Sequence, residues 1–295
     1  MLGSRLSKGA RSLSAASDRV RRYYDANTPL LLGLGQGTEG SIHRAVWGPG
    51  VTDRRQAMAY VDALVIDRVK RVGAQTGRAP HVVDLGSGVG ASLCRIAEHV
   101  PIRGTGITIS GVQADLARHR IEARGLAASV RSVHADFCNL PAQLEQADVA
   151  FAIEAFVHAT TAAAFFRECA RLVRSGSYLI VCDDFVADAG LRADRRAARW
   201  LDRFRHGWMA GNLVSFAEAD DVARGAGFAH QKTIDLSPHV EIGRPRDHAV
   251  ALLMRAFGWL PVAGSYWSML RGGHALQLCL RRGWITHLFS VWRRQ

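Results

Sequence analysis

The stretch HVVDLGSGVG, residues 81–90, constrains the fold of this 295-residue chain more than any other. A short apolar run carrying Asp84 passes at once into a loop with Gly86, Gly88 and Gly90. Glycines in that rhythm permit a sharp turn and let backbone amides lie against a ligand that side chains would exclude. The loop lacks the Lys and Ser/Thr of a phosphate cradle, and Ala91 leaves the GxGxxG of a dinucleotide site incomplete. What the loop holds is decided by residues further along.

From residue 81 apolar runs alternate with segments of helical period: HVVDL then ASLCRIAEHV, RGTGITI then GVQADLARHRIEARG, ASVRSVHAD, ADVAFAIEA then AAAFFRECARLV, and SYLIVCDDF. Strand and helix in turn over a hundred residues predict an α/β domain with a parallel sheet covered on both faces. Upstream, residues 1–75 read as an N-terminal arm and helical lid. They comprise a basic, Ser-rich start, a Gly-rich stretch with paired tyrosines and no clean periodicity, and a helix at about 55–75. Residues 76–295 read as the core, with an inserted cap at about 187–225 and 240–280 and WITHLFSVW as a closing strand.

The net charge of +12 and pI near 10.3 raise nucleic acid, an anionic membrane or a phosphorylated substrate as partners. The arginines are spread over helices and the C-terminal tail instead of being interleaved with aromatics, which disfavours nucleic acid. No stretch approaches the ~18 uninterrupted apolar residues of a membrane span, so a soluble protein is expected, with peripheral membrane contact through the basic arm and homo-oligomerisation both compatible. Five scattered cysteines with no CxxC pair indicate neither a disulfide framework nor a zinc site and suit a reducing cytoplasm.

The loop DLGSGVG resembles the first motif, D/E-x-G-x-G-x-G, of the class I S-adenosylmethionine-dependent methyltransferases. The second strand of that class usually ends in an acidic residue on the ribose; here it ends in GITIS, with Thr108 in that place and Gln113 five residues on. This T-[LI]-S-x-x-Q arrangement is similar to that of a carbon-methylating branch that includes cyclopropane fatty acid synthases and the sterol and geranyl diphosphate C-methyltransferases. The resemblance implies a Rossmann-like fold with a mostly parallel seven-stranded sheet, and S-adenosylmethionine as cofactor. It implies that Asp84, Gly86, Gly88, Thr108 and Gln113 contact the cofactor, with Asp136 and Phe137 of HADF on the adenine. Ser110 and Gln113 also read as a helix capping box, S-x-x-Q, and both roles are open.

Methyl transfer requires a nucleophile held in line with a sulfonium methyl in a dry pocket. An alkene nucleophile leaves a carbocation, which calls for aromatic faces and then a base. FAIEAFVHAT resembles the AIEATxHAP stretch of sterol C-methyltransferases, and the resemblance gives Glu154 as that base. His158, four residues on, is the alternative: a general base for a hydroxyl or phenol, hence O-methylation. Tyr24, Trp47, Phe185 and Trp208 are the candidate aromatic contacts to a small apolar substrate. His43, Arg44, Arg244, Arg246 and His248 would neutralise a diphosphate, with Mg²⁺ as a bridge if the substrate carries one. The expectation is an enzyme of specialised metabolism that methylates an isoprenoid alkene on carbon.

Overall fold

The computed structural model describes residues 14–33, 43–260 and 264–295; the first thirteen residues of the basic arm and the second half of LLLGLGQG lie outside them. The apolar runs form β1 (His81–Leu85), β2 (Arg103–Thr108), β3 (Val130–His134), β4 (Ala147–Ile153), β5 (Val173–Val186), β6 (Phe228–Asp235) and β7 (Ile285–Arg294). They make one sheet in the order β3-β2-β1-β4-β5-β7-β6. The first five strands run parallel, and β7 pairs antiparallel with both β5 and β6. Every residue of β1 and β4 is buried, as central strands covered on both faces require.

The strand order reverses between β1 and β4, so their carboxyl ends open the crevice in which ligands of such sheets bind. Around the sheet lie α1 (Ala15–Gly33), α2 (Arg54–Thr76), α3 (Ala91–His99), α4 (Gly111–Ala123), α5 (Ala162–Leu172), α6 (Arg195–Gly207), α7 (Phe216–Gly225), α8 (Pro245–Phe257) and α9 (Ser265–Arg281). On one face α5 seats Phe165, Phe166 and Leu172 in a core shared with Phe156, Phe185 and Trp292. Such side chains contribute about 1.5–3 kcal/mol each on full burial. On the other face α2 and α3 pack Val65, Val69, Leu93 and Ile96 against Val82, Phe151 and Ile180.

Three elements depart from the sequence reading. The tyrosine-bearing segment is helical; it shows no apolar period because the face α1 turns toward the crevice, Ser17, Val20, Tyr24 and Thr28, has helical spacing but is largely polar. Strand β6 was not among the runs read; FAHQKTID is a half-exposed edge strand with only Phe228 fully buried. Helix α7, placed with the cap, packs Ala219 and Ala223 into the sheet core. Helices α6 and α9 pack on each other through Leu201, Phe204, Ala275 and Leu276, in a cluster that joins the sheet at Val186 and Ile285, and α8 lies against α9.

Candidate functional site

The turn after β1 is set by backbone conformation. Gly86, Gly88 and Gly90 have φ of +88°, +53° and +77°, a region that only glycine enters freely. The amides of Gly86 and Ser87 both donate to the Ile107 carbonyl, at 2.9 and 2.8 Å, which pins the turn to β2. A Cβ on Gly86 would stand 2.4 Å from that of Ala155, so the turn closes directly on the segment after β4. Gly106 matters as well: a Cβ there would lie 2.8 Å from Ser87 Oγ. Ser87 Oγ is buried with no hydrogen-bond partner in the protein.

Beside this turn is a cavity that brings together Gly86, Gly88, Thr108, Gln113, Phe137, Glu154, His158, Tyr24 and Trp208, nine of the expected site residues. Thr108 Oγ1 donates to Gln113 Oε1 at 2.9 Å, and Gln113 Nε2 donates to Thr28 Oγ1 of α1 at 3.1 Å. Only half of the capping box forms: Ser110 Oγ accepts the Gln113 amide at 3.1 Å, while the Gln113 side chain turns into the cavity. Asp136 is taken up by the fold, accepting from Ser17 Oγ of α1 at 2.6 Å and from the Cys138 amide at 2.8 Å. Asp84 lies buried in β1, and desolvation together with nearby Asp62 raises its carboxyl well above the usual range.

Glu154 has φ of +50°, and Met209, whose carbonyl lies against His158, has +54°. A non-glycine residue in that region is strained by its Cβ, and such strain persists where the surroundings hold it. Glu154 Oε1 accepts the Arg44 amide at 2.9 Å and faces the Arg44 guanidinium at 3.2 Å. Burial would raise the Glu154 carboxyl, but Arg44, with His287 and His43, outweighs it and holds the group below its ordinary value. Arg44 Nη2 also bonds Asp184 at 2.9 Å, and Asp184 bonds His287 Nδ1 at 3.0 Å. This buried Arg44, Asp184 and His287 cluster was not read from the sequence; two acids ending a buried strand and a histidine inside WITHLFSVW were the signal for it.

His158 ends a single 3₁₀ turn, Phe156–His158. The turn is braced from below: the Val157 amide donates to Asp183 Oδ2 at 3.1 Å, and Asn212 Nδ2 donates to the Phe156 carbonyl at 3.1 Å. Burial, with Asp184 beside it, pushes the Asp183 carboxyl up to about 8. His158 Nδ1 lies 3.3 Å from the Met209 carbonyl and Nε2 2.7 Å from the Tyr24 hydroxyl. Burial lowers the imidazole from its ordinary value, outweighing Met209 and the nearby acids, and raises the Tyr24 phenol well above its own. The ring is therefore neutral, Nδ1–H donates to Met209, and the Nε2 lone pair receives the tyrosine O–H.

A second cavity of about 180 Å³ lies between α8 and α9 and shares Trp208 with the first. Arg44, Arg244 and Arg246 line it together with apolar Val250, Met269, Leu276 and Leu280. Trp208 is fixed there by donating from Nε1 to the Met269 carbonyl at 3.0 Å. Two expected substrate contacts lie elsewhere. Phe185 is fully buried in the sheet core against Phe156 and Phe216, because β5 directs it away from the crevice. Trp47 is 40% exposed, with Nε1 3.3 Å from Glu241.

Of the expected phosphate ligands, Arg44 is engaged by carboxylates, and Arg244 lies 3.3 Å from Asp247 and 3.5 Å from Glu241. Among the described residues no cluster of three or more His, Cys, Asp or Glu side chains is arranged to hold a metal, and no helix is long and apolar enough to cross a membrane.

A seven-stranded sheet with an antiparallel β7, a glycine turn at the switch point and a cavity closed over it define the class I methyltransferase fold. Residues 83–181 match the methyltransferase domain family. The chain is 30% identical to the O-methyltransferase cnsE of Penicillium expansum over 206 residues, covering 70% of each protein. It is 27% identical to 24-methylenesterol C-methyltransferase 3 of Arabidopsis thaliana over 267 residues, 86% of this chain and 71% of that one. A geranyl diphosphate methyltransferase solved with geranyl diphosphate and sinefungin superposes with a TM-score of 0.71 at 18% identity, over 96% of this chain and 100% of that one. The chain belongs to the class I S-adenosylmethionine-dependent methyltransferases, and it is an enzyme of that kind. The residues present fit that cofactor: a cradle that a Cβ would fill, the unpartnered Ser87 Oγ, and the Thr108 and Gln113 side chains facing one cavity.

Proposed function

We propose that the enzyme methylates a hydroxyl oxygen on a small apolar acceptor, with His158 as general base. The observation that carries this reading is the neutral imidazole whose Nε2 lone pair points at a hydroxyl, 2.7 Å away, in the cavity beside the glycine turn. An acceptor O–H that takes the place of the Tyr24 hydroxyl loses its proton to Nε2 as its oxygen attacks, while Met209 holds the opposite ring nitrogen. S-adenosylmethionine supplies the methyl group. Gly86, Gly88, Ser87, Thr108, Gln113 and Phe137 would hold it, with α1 closing over them. The acceptor body would lie in the second cavity, where Arg44 Nη1 is buried without a hydrogen-bond partner and suits an acceptor oxygen. Five buried, unpaired cysteines support a reducing compartment such as the cytoplasm.

The second reading is carbon methylation of an isoprenoid alkene with Glu154 as base. It is favoured by the strained backbone of Glu154, which carries its carboxylate into the same cavity near Tyr24 and Trp208, and by the likeness to the sterol enzyme. It ranks second because Arg44 already neutralises that carboxylate. A diphosphate acceptor in this reading would use Arg246, and Mg²⁺ as a bridge.

The test is mass spectrometry of products formed with deuteromethyl-labelled cofactor and a panel of prenyl diphosphates, sterols and prenylated phenols. Label on oxygen, with kcat reduced about 10²–10⁴-fold in His158→Ala and far less in Glu154→Gln, supports the first reading. Label on carbon with the reverse ranking overturns it in favour of the second.

A further inference from the structure

Helix α8 carries apolar side chains on its outer face as well as on its inner one. Its inner stripe, Asp247, Val250, Ala251, Met254 and then Gly258, recurs at the three- and four-residue intervals of a packed face and includes residues that line the second cavity. The outer face should then be polar, yet it carries Leu252 at 69% exposure, Leu253 at 36% and Phe257 at 50%, with Trp259 just beyond at 75%. Large apolar side chains clustered in this way mark an interaction surface.

The surroundings specify the partner. Helices α6, α8 and α9 carry nine arginines against two aspartates, +7 of the chain's net +12. Arg203 feels Arg199 and Arg271 closely enough to lose part of its proton affinity, with burial as the larger cause. A second copy of the chain would set the same charge against itself. Nucleic acid would satisfy the charge but offers no apolar phase for Leu252, Phe257 and Trp259. A lipid surface with anionic headgroups satisfies both at once, since aromatic and leucine side chains enter the acyl boundary while arginines stay at headgroup level.

We propose that the cap formed by α6, α8 and α9 docks on an anionic membrane surface through the outer face of α8. The same helix then separates lipid on one side from the second cavity on the other, and docking does not depend on which atom the enzyme methylates. Full-length protein is co-sedimented with phosphatidylcholine vesicles and with vesicles containing phosphatidylglycerol, alongside the L252E/F257E/W259E and R199E/R203E/R271E variants, all checked for an unchanged melting transition. Wild-type protein should bind the anionic vesicles about tenfold or more above the neutral ones, and each triple variant should lose about tenfold. Tryptophan emission should shift to the blue on anionic vesicles, and the shift should shrink in Trp259→Phe. Absence of vesicle binding, or equal binding by L252E/F257E/W259E, overturns the proposal. Capture by a single-stranded oligonucleotide that the glutamate substitutions leave unchanged, without vesicle binding, would reassign the face to nucleic acid.

Discussion

The two cavities that share Trp208 are walled by different means. The floor of the first is backbone: a glycine turn at +φ, the ends of β1, β2 and β4, and a 3₁₀ turn braced by Asp183 and Asn212, with Val20 and Tyr24 of α1 closing over it. The second is bounded by side chains of α8 and α9 and of the segment around Glu241. Backbone walls follow from sheet topology and vary little, which suits a cofactor that does not change. Side-chain walls can be reshaped one residue at a time, which suits an acceptor. Arg44 joins the two, pairing with Glu154 at the first and lining the second.

The strongest way to break this division is Arg44→Ala. Without the guanidinium, Glu154 and Asp184 remain buried with their principal counter-charge gone, and breaking such a pair costs about 3–5 kcal/mol. Urea denaturation should record that loss; a change below about 1 kcal/mol would mean that the carboxylates are satisfied without Arg44.

Next come two glycines, one for each cavity. Gly86→Ala places a Cβ 2.4 Å from that of Ala155 at φ +88°, and the left-handed conformation alone costs about 1–2 kcal/mol. Gly272→Ala sets a Cβ 2.5 Å from Trp208 Cδ1 and 2.8 Å from Gly207 Cα, spreading α6 from α9 at a cost of about 1–3 kcal/mol. Calorimetry should find cofactor affinity weakened by the first change and held by the second, with KM for the acceptor raised by the second. Equal effects on both ligands would dissolve the distinction between the cavities.

The pH dependence sharpens the assignment of His158. Its pKa in the folded state lies below the ordinary 6.5, so the unfolded chain binds the proton more readily. Its contribution to stability is therefore present above pH 6.5 and is lost as pH falls through the folded value. The kcat profile should stay level above neutrality and fall on the acid side below pH 6.5, and His158→Ala should remove that limb. The smallest effect is expected from Trp47→Phe, since the indole stands exposed beside Glu241; turnover should change by no more than about twofold.

Much of the first cavity was legible before any coordinates. An apolar run followed by three spaced glycines has few structural solutions, and GITIS, HADF and FAIEAFVHAT bring Thr108, Gln113, Phe137, Glu154 and His158 to neighbouring strand ends once the sheet is parallel. Helix α1 was hidden because its functional face is polar, and hydrophobic period is what reveals a helix from sequence. Phe185 was misplaced because one residue's shift along β5 exchanges crevice for core, a choice made by pairing with β7 and not by residue type.

By itself, the sequence determined the parallel strands, the turn and the identity of the groups at their ends, because these follow from local motifs and from a period of two or of 3.6. Only the tertiary structure decided their states. Arg44 and Glu154 are 110 residues apart, and Tyr24 and His158 134 apart. Those long-range contacts make the carboxylate an ion pair and the imidazole a neutral base, because charge and pKa follow from burial and from neighbours brought together by folding.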